Sequence, residues 1–275
     1  MQSLAFRNGS VFDASCLDAR ALIYADGVFE TLRSCVKGHL PMWRYHRQRL
    51  LHAASVLKID LDISLLEQHL EHAIAQFSQF PAVIKIILGR APGKRGAYAQ
   101  AHASADIIVQ LKALPNREAL RSCKLVSLAQ PLLGQALTNG LKLVNRLPYL
   151  LPSIEGSIAE DAEALFLDEN QHVVETMHHN IFILKGVSLL TPSLQCAGVE
   201  GTLRAALLDG WTSDLGLGLT VQVAELGLDD LFQADAVFLT NALDGILAVS
   251  SLNSKPLAQN AVVRTLSEYF QKEFS

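Results

Sequence analysis

The sequence predicts an α+β fold in two parts, and three observations lead there. Apolar runs of strand length alternate with helical periodicities, but in no regular βαβ order. Pro115-Asn116-Arg117-Glu118 interrupts the pattern, so residues 1–115 and 116–275 read as an N-terminal and a C-terminal α+β domain. A chain of 275 residues, 50% of them hydrophobic, is long enough to bury two cores.

Each element has its own signal. Val28 to Val36 is strand-like and ends at a Lys37-Gly38 turn. From Trp43 a helix carries Arg44, His46, Arg47 and Arg49, with Leu50, Ala53, Ala54 and Leu57 on its apolar side. Ser64-Leu-Leu-Glu67 matches a capping box, opening a second helix with Leu66, Leu70, Ile74 and Phe77 in register. Val83 to Leu88 and Ile107 to Leu111 suit buried strands, with the loop Gly89 to Gly96 between them. Beyond the break, Leu125 to Leu128 is a strand. A run of hairpin signals follows: Ala164 to Asp168, Val173 to Glu175, Ile181 to Leu184 and Val187 to Leu190. Gly198 to Leu208 reads as a glycine-bearing loop feeding a helix. Strands at Leu219–Ala224, Ala236–Leu239 and Ile246–Val249 precede a closing amphipathic helix from about Asn260.

Composition excludes several functions. Only 18% of residues are charged, against about 25% in an average domain. The mean hydropathy is +0.24, which suits an oligomer that hides a flat interface. Net charge is −4 with no basic block, so nucleic acid is not an expected partner. Cys16, Cys35, Cys123 and Cys196 form no CxxC pair and read as free thiols of a reducing compartment. The start Met1-Gln-Ser-Leu-Ala-Phe-Arg7 lacks signal-peptide regions, and no apolar run approaches the roughly 18 residues of a membrane span. A soluble cytoplasmic protein is expected.

Several motifs fail on inspection. Gly89-Arg-Ala-Pro-Gly93-Lys94-Arg95 is one residue short of a phosphate loop and has Arg where Ser or Thr must stand. No GxSxG occurs. His69 and His72 lie three apart with no third ligand nearby, so they read as surface histidines and no metal is expected. His178 and His179, as strand neighbours, point to opposite faces, so at most one faces a site.

Lys142 is a lone base among aliphatics in Gly140-Leu-Lys-Leu-Val-Asn-Arg-Leu147. Taken alone it reads as a surface lysine. Desolvated, it would have a lowered pKa and a neutral amine able to attack a carbonyl, which is what a Schiff-base lysine needs. A pyridoxal phosphate enzyme needs such a lysine, an acid for the pyridine nitrogen, a phosphate cup and cations for substrate carboxylates. Glu175 ends an apolar strand, where a carboxylate is costly to bury unpaired. As a surface acid at a strand end it is equally well explained. Gly198-Val-Glu-Gly201-Thr202-Leu203-Arg204 leads into a helix whose free amides suit a phosphate, although an ordinary helix cap is the commoner use of Gly-Thr.

At these residues the chain resembles the class IV, fold-type IV pyridoxal phosphate enzymes, which include branched-chain and D-amino acid aminotransferases and aminodeoxychorismate lyases. The resemblance spans nearly the whole chain. It runs through Tyr24-Ala-Asp-Gly-Val-Phe-Glu-Thr-Leu-Arg33, His46-Arg-Gln-Arg-Leu50, Arg90 to Gly96 and Leu141 to Leu147. It continues through Ala162 to Asp168, Val174-Glu-Thr-Met-His-His-Asn-Ile-Phe182, Thr191-Pro192 and Gly198 to Arg204. Each piece alone is common; their order and spacing carry the resemblance.

The resemblance implies two α+β domains of D-amino acid aminotransferase type, with pyridoxal 5'-phosphate between them, and a homodimer. It assigns Lys142 to the cofactor's carbonyl and Glu175 to its ring nitrogen. Arg49, the amides of Thr202 and Leu203, and Thr240 or Asn241 go to its phosphate. Arg95, assisted by Lys94, goes to substrate carboxylates. The Lys142 to Leu147 segment is more similar to the lyases, which split aminodeoxychorismate into pyruvate and 4-aminobenzoate in folate synthesis. An aminotransferase acting on D-amino or branched-chain acids is the nearest alternative, and a non-catalytic binding protein of the same fold is the other. Met177, His178 and His179 replace the family's usual small hydroxyl residues, and Leu203 stands where aminotransferases often have threonine. Pro148 suits a first helical turn, but Pro152 predicts a short or kinked helix after Lys142.

Overall fold

The computed structural model describes residues 3–11, 19–93, 98–115, 122–156, 158–159 and 161–274. The interruption at 115–118 therefore lies mostly outside the described residues. The chain divides into two compact units. One comprises Met1–Asn116, Leu141–Asn145 and Glu273–Ser275; the other comprises Arg117–Gly140 and Arg146–Lys272. The segment that carries Lys142 thus belongs to the first unit.

In the first unit the described strands are β1 (Ser3–Arg7), β2 (Ser10–Val11), β3 (Gly27–Arg33), β4 (Ile59–Asp60), β5 (Ala82–Arg90) and β6 (Ala103–Ala113). They form an antiparallel sheet in the order β2-β1-β6-β5-β3, with β4 parallel on β6. The helices are α1 (Arg20–Ile23), α2 (Trp43–Leu57) and α3 (Ile63–Ala75). Alternation in β5 buries Ala82, Ile84, Ile86 and Leu88, as expected of a sheet with one face on a core. Against that face pack Leu50, Ala53 and Ala54 of α2 and Leu66, Leu70 and Ala73 of α3. The expected capping box is corrected. Asp62 is the N-cap of α3, accepting from the Ser64 and Leu65 amides at 3.0 and 3.1 Å. Glu67 instead accepts from Trp43 Nε1 and Arg47 Nε, both at 3.0 Å, and so ties α3 to α2. Asp at N-cap needs no reciprocal partner, which is why the Ser-x-x-Glu pattern misled.

The second unit contains β7 (Ser122–Ser127), β8 (Ala162–Leu167), β9 (Val173–Thr176), β10 (Asn180–Lys185), β11 (Ser188–Pro192), β12 (Thr220–Ala224), β13 (Ala236–Asn241), β14 (Gly245–Leu252) and β15 (Lys255–Pro256). Its helices are α4 (Leu147–Glu155), α5 (Thr202–Leu208), α6 (Leu228–Phe232) and α7 (Ala261–Glu273). The sheet runs β12-β11-β10-β13-β14-β7-β8-β9, and β9 pairs back onto β10. That last pairing, Asn180 opposite Glu175, closes six strands into a ring. β10 and β13 are buried on both faces, which explains why Ile181 to Leu184 and Ala236 to Leu239 are unbroken apolar runs.

Two local details need the structure to settle them. α4 continues past Pro152 to Glu155, with Pro148 in its first turn. The Ser153 hydroxyl donates to the Tyr149 carbonyl at 2.8 Å, and the Gly156 amide to the Pro152 carbonyl at 2.8 Å. These bonds close the turns around a proline that has no N–H to give. His178 and His179 lie in the bend between β9 and β10 rather than in a strand. His178 is exposed and His179 buried all the same. No helix among the described residues is long and apolar enough to cross a membrane.

Candidate active site

The residues singled out in the sequence fall into two groups, one in each unit. In the first, residues 141–145 run alongside β3. Leu141 and Leu143 enter the core, the Lys142 carbonyl accepts from the Phe29 amide at 2.9 Å, and the Val144 amide donates to Gly27 at 3.1 Å. This pairing holds Lys142 half-buried, its Nζ 4.7 Å from the centre of the Phe29 ring. The ammonium of Lys85 lies 4.8 Å from the same ring, and burial, then the nearby Lys112 charge, push its pKa down.

Arg49 faces β3 from α2. Its Nε donates to Glu30 Oε1 at 2.7 Å and its Nη2 to Oε2 at 2.6 Å. His46, one turn earlier, lies with Nδ1 2.6 Å from Glu30 Oε2. Burial pushes the Glu30 carboxyl up, but the Arg49 and His46 charges outweigh it and hold it at about 2. Burial pushes the His46 pKa down against the pull of Glu30. Arg49 therefore meets any anion from within an ion pair already made. Sequence reasoning passed over Glu30, although it is an acid beside the apolar Val28, Phe29 and Leu32 of a strand, a signal like the one that singled out Glu175.

The second unit builds its group around the ring closure. Glu175 is buried, and among the described residues its carboxylate takes hydrogen bonds from Tyr149, Asn180 and Val199. The Tyr149 hydroxyl reaches Oε1 at 2.6 Å, Asn180 Nδ2 reaches Oε2 at 3.0 Å, and the Val199 amide lies 3.1 Å from both oxygens. Asn180 lies in the Val174–Phe182 segment that carries the resemblance but has no role assigned there, and Tyr149 carries no signal in the sequence. Two glycines permit the arrangement. Gly198 has φ of +103°, a conformation that side chains resist, and it turns the Val199 amide toward Glu175. A Cβ on Gly201 would lie 1.8 Å from Asn180 Oδ1.

Asn180 pairs with Glu175 on one side and with Thr240 on the other. Thr240 is buried, and among the described residues its Oγ1 has no hydrogen-bond partner. An orphaned buried hydroxyl is costly, so this one is suited to an oxygen-rich ligand. Thr202 and Leu203 open α5 and are both buried. Asn241 is spent on the β13–β14 turn, where its Oδ1 accepts from the Leu243 and Asp244 amides at 2.9 and 2.7 Å. Arg204 donates to Thr191 Oγ1 at 3.3 Å and to the Pro192 carbonyl at 3.0 Å. It fastens α5 to β11.

His179 lies between two carboxylates. Its Nδ1 is 3.5 Å from Glu163 Oε1 and its Nε2 3.3 Å from Asp244 Oδ2, within ion-pair range but outside hydrogen-bond geometry. Burial pulls its pKa down, and the two acids more than offset this, leaving it raised. Burial pushes Glu163 up, but the two histidines hold it far below the usual carboxylate range. Lys94 and Arg95 lie outside the described residues. Among the described residues no cluster of His, Cys, Asp and Glu could hold a metal ion.

A buried carboxylate held by three donors, beside an unpartnered hydroxyl and the start of a helix, fits a cationic ring nitrogen and an anionic group. Pyridoxal phosphate carries both. Comparison with known proteins agrees. The family model for amino-transferase class IV matches residues 27–252. An aminodeoxychorismate lyase of Vibrio harveyi is 30% identical over 243 residues, covering 86% of this chain and 87% of its own. The crystal structure of 4-amino-4-deoxychorismate lyase from Pseudomonas aeruginosa superposes with a TM-score of 0.88 at 30% identity, covering 98% of each chain. A branched-chain amino acid aminotransferase of Escherichia coli shares the fold, with a TM-score of 0.84 at 22% identity over 100% of this chain and 95% of its own.

Proposed function

The chain belongs to the class IV amino-transferase family, and from that premise we propose that it is a lyase of 4-amino-4-deoxychorismate, releasing pyruvate and 4-aminobenzoate for folate synthesis. The cofactor of this family is pyridoxal phosphate. The observation that carries the reading is the 30% identity, across nearly the full chain, to lyases with that substrate in their names. Glu175, buried under its three donors, supplies the chemistry the cofactor requires.

Bound, pyridoxal phosphate supplies a carbonyl carbon conjugated to an electron-withdrawing pyridinium ring. Glu175, under its described donors, would hold the proton on the ring nitrogen. The Thr202 and Leu203 amides, the Thr240 hydroxyl and Arg49 would take the phosphate. Asn241 contributes by closing the turn that holds Thr240 in place. Lys142 would hold the cofactor at its carbonyl carbon, and its amine would be the base for the C4 proton of the substrate. The bond between the ring and the enolpyruvyl oxygen breaks as the ring becomes aromatic, and the departing enolpyruvate gains a proton to end as pyruvate. Arg95 and Lys94 take the substrate carboxylates.

We also infer a homodimer. On α4, Tyr149 and Ser153 turn inward, while Leu147, Leu150, Leu151 and Ile154 are 57, 43, 54 and 71% exposed. Their i, i+3, i+4, i+7 spacing makes one apolar stripe, which suits a second copy of this chain. The free thiols of Cys35, Cys123 and Cys196 support a cytoplasmic location.

The deciding assay supplies aminodeoxychorismate and pyridoxal phosphate without any keto acid. Equimolar pyruvate and 4-aminobenzoate are expected. Transamination that begins only when a keto acid is added would identify an aminotransferase. Failure to bind pyridoxal phosphate at all would identify a non-catalytic relative.

A further inference from the structure

Tyr149 makes the shortest of the hydrogen bonds to Glu175, at 2.6 Å. It is placed for this from several sides. Its ring packs edge-on against Phe166 at 5.2 Å, and Phe166 is the strand partner of Glu175 across β8 and β9. The Arg146 guanidinium lies 3.5 Å from the centre of the Tyr149 ring and donates to the Met177 carbonyl at 2.9 Å. The phenol is thus clamped between a buried aromatic ring and a cation, with its hydroxyl aimed at one carboxylate oxygen. Burial, then the Glu175 charge, push the phenol far above its ordinary range, so it stays protonated and remains a donor.

Without that hydroxyl, Oε1 would lose its shortest described hydrogen bond, while Oε2 keeps both Asn180 and Val199. The two oxygens would become unequal. A buried carboxylate that has lost a charge-assisted hydrogen bond is both freer to rotate and less well compensated. We propose that Tyr149 is a positioning residue for the reaction: its hydroxyl fixes the orientation and charge of Glu175, so that the carboxylate meets the cofactor's ring nitrogen squarely and tunes its electron-withdrawing power. This rests on the reading that Glu175 is the ring-nitrogen partner.

The test compares Tyr149→Phe with Glu175→Gln in the cofactor-loaded protein. Visible absorption across pH, cofactor affinity by equilibrium dialysis, and kcat and KM would be measured for each. Tyr149→Phe is expected to move the pH midpoint of the visible band in the same direction as Glu175→Gln, but less far. Its kcat is expected to fall about tenfold with KM within about twofold, as for an interaction that matters in the transition state. A Tyr149→Phe protein with wild-type absorption and kcat, beside a Glu175→Gln protein altered in both, would overturn the proposal and leave the role of Glu175 standing. If both variants behave as wild type, the role of Glu175 falls with it. Incorporation of 3-fluorotyrosine at position 149 keeps the size and strengthens the donor, and it should move the band the opposite way. An unmoved band there overturns the proposal even if Tyr149→Phe fails to fold.

Discussion

A single hydroxyl shows how function and stability part company in this protein. Thr240 Oγ1 is buried with no hydrogen-bond partner among the described residues, so on the proposed reading it burdens the fold and serves an oxygen-rich ligand. Thr240→Val should therefore raise the unfolding free energy of the cofactor-free protein by about 1 kcal/mol. The same change should weaken pyridoxal phosphate binding by about tenfold. Urea unfolding and equilibrium dialysis on one preparation would show both; a parallel loss of stability and affinity would mean that Thr240 is structural. Lys142, half-buried beside the Phe29 ring, is the residue proposed to act on the cofactor itself. Lys142→Ala should keep the melting temperature of the cofactor-free protein, lose the visible band of the bound cofactor, and lower kcat by roughly 10³-fold. A variant that keeps the wild-type band and turnover would defeat the mechanism.

Among the elements, the β9–β10 bend and the β13–β14 turn are joined electrostatically. His179, in the bend, stands between Glu163 of β8 and Asp244 of the turn, and His178 reaches Glu163 from the exposed side at 3.1 Å. The His179 pKa is raised above 6.5 in the folded protein. Its contribution to stability is therefore complete below 6.5 and is lost as the pH climbs through the raised folded value. His179→Asn should lower stability by about 3 kcal/mol near pH 6, because it leaves two acids facing each other without their cation. Toward pH 10 the gap between variant and wild type should narrow. Melting temperatures across that range would decide it, and a gap that does not change with pH would mean the histidine is held neutral. The sequence marked this pair as a departure from the family pattern. It could not show which acids flank them, because Glu163 and Asp244 are far away along the chain.

For the whole molecule, the exposed stripe on α4 carries the proposed dimer. Leu151→Glu combined with Ile154→Glu places two carboxylates on it and should convert a dimer into monomers, read by sedimentation velocity at micromolar concentration. A wild-type protein that sediments as a monomer would remove the stripe's proposed role. Most strands and the long helices were legible in the sequence because burial imposes a period of 2 or 3.6 on nearby residues. The α+β class and the family followed from the order of short motifs, and with them the cofactor. The short elements β2, β4 and β15 carry too few residues to show a period. α4 was obscured by Pro152, whose missing N–H is tolerated near the end of a short helix. What the sequence determined by itself was the material: a lysine among aliphatics, an acid closing an apolar strand, and glycines where the backbone must turn. Only the tertiary structure decided which groups meet. The return of β9 onto β10 gives Glu175 its Asn180 partner, the packing of α4 gives it Tyr149, and α2 brings His46 and Arg49 to Glu30. Such meetings are set by strand order and helix packing between residues far apart along the chain, where local periodicity holds no information.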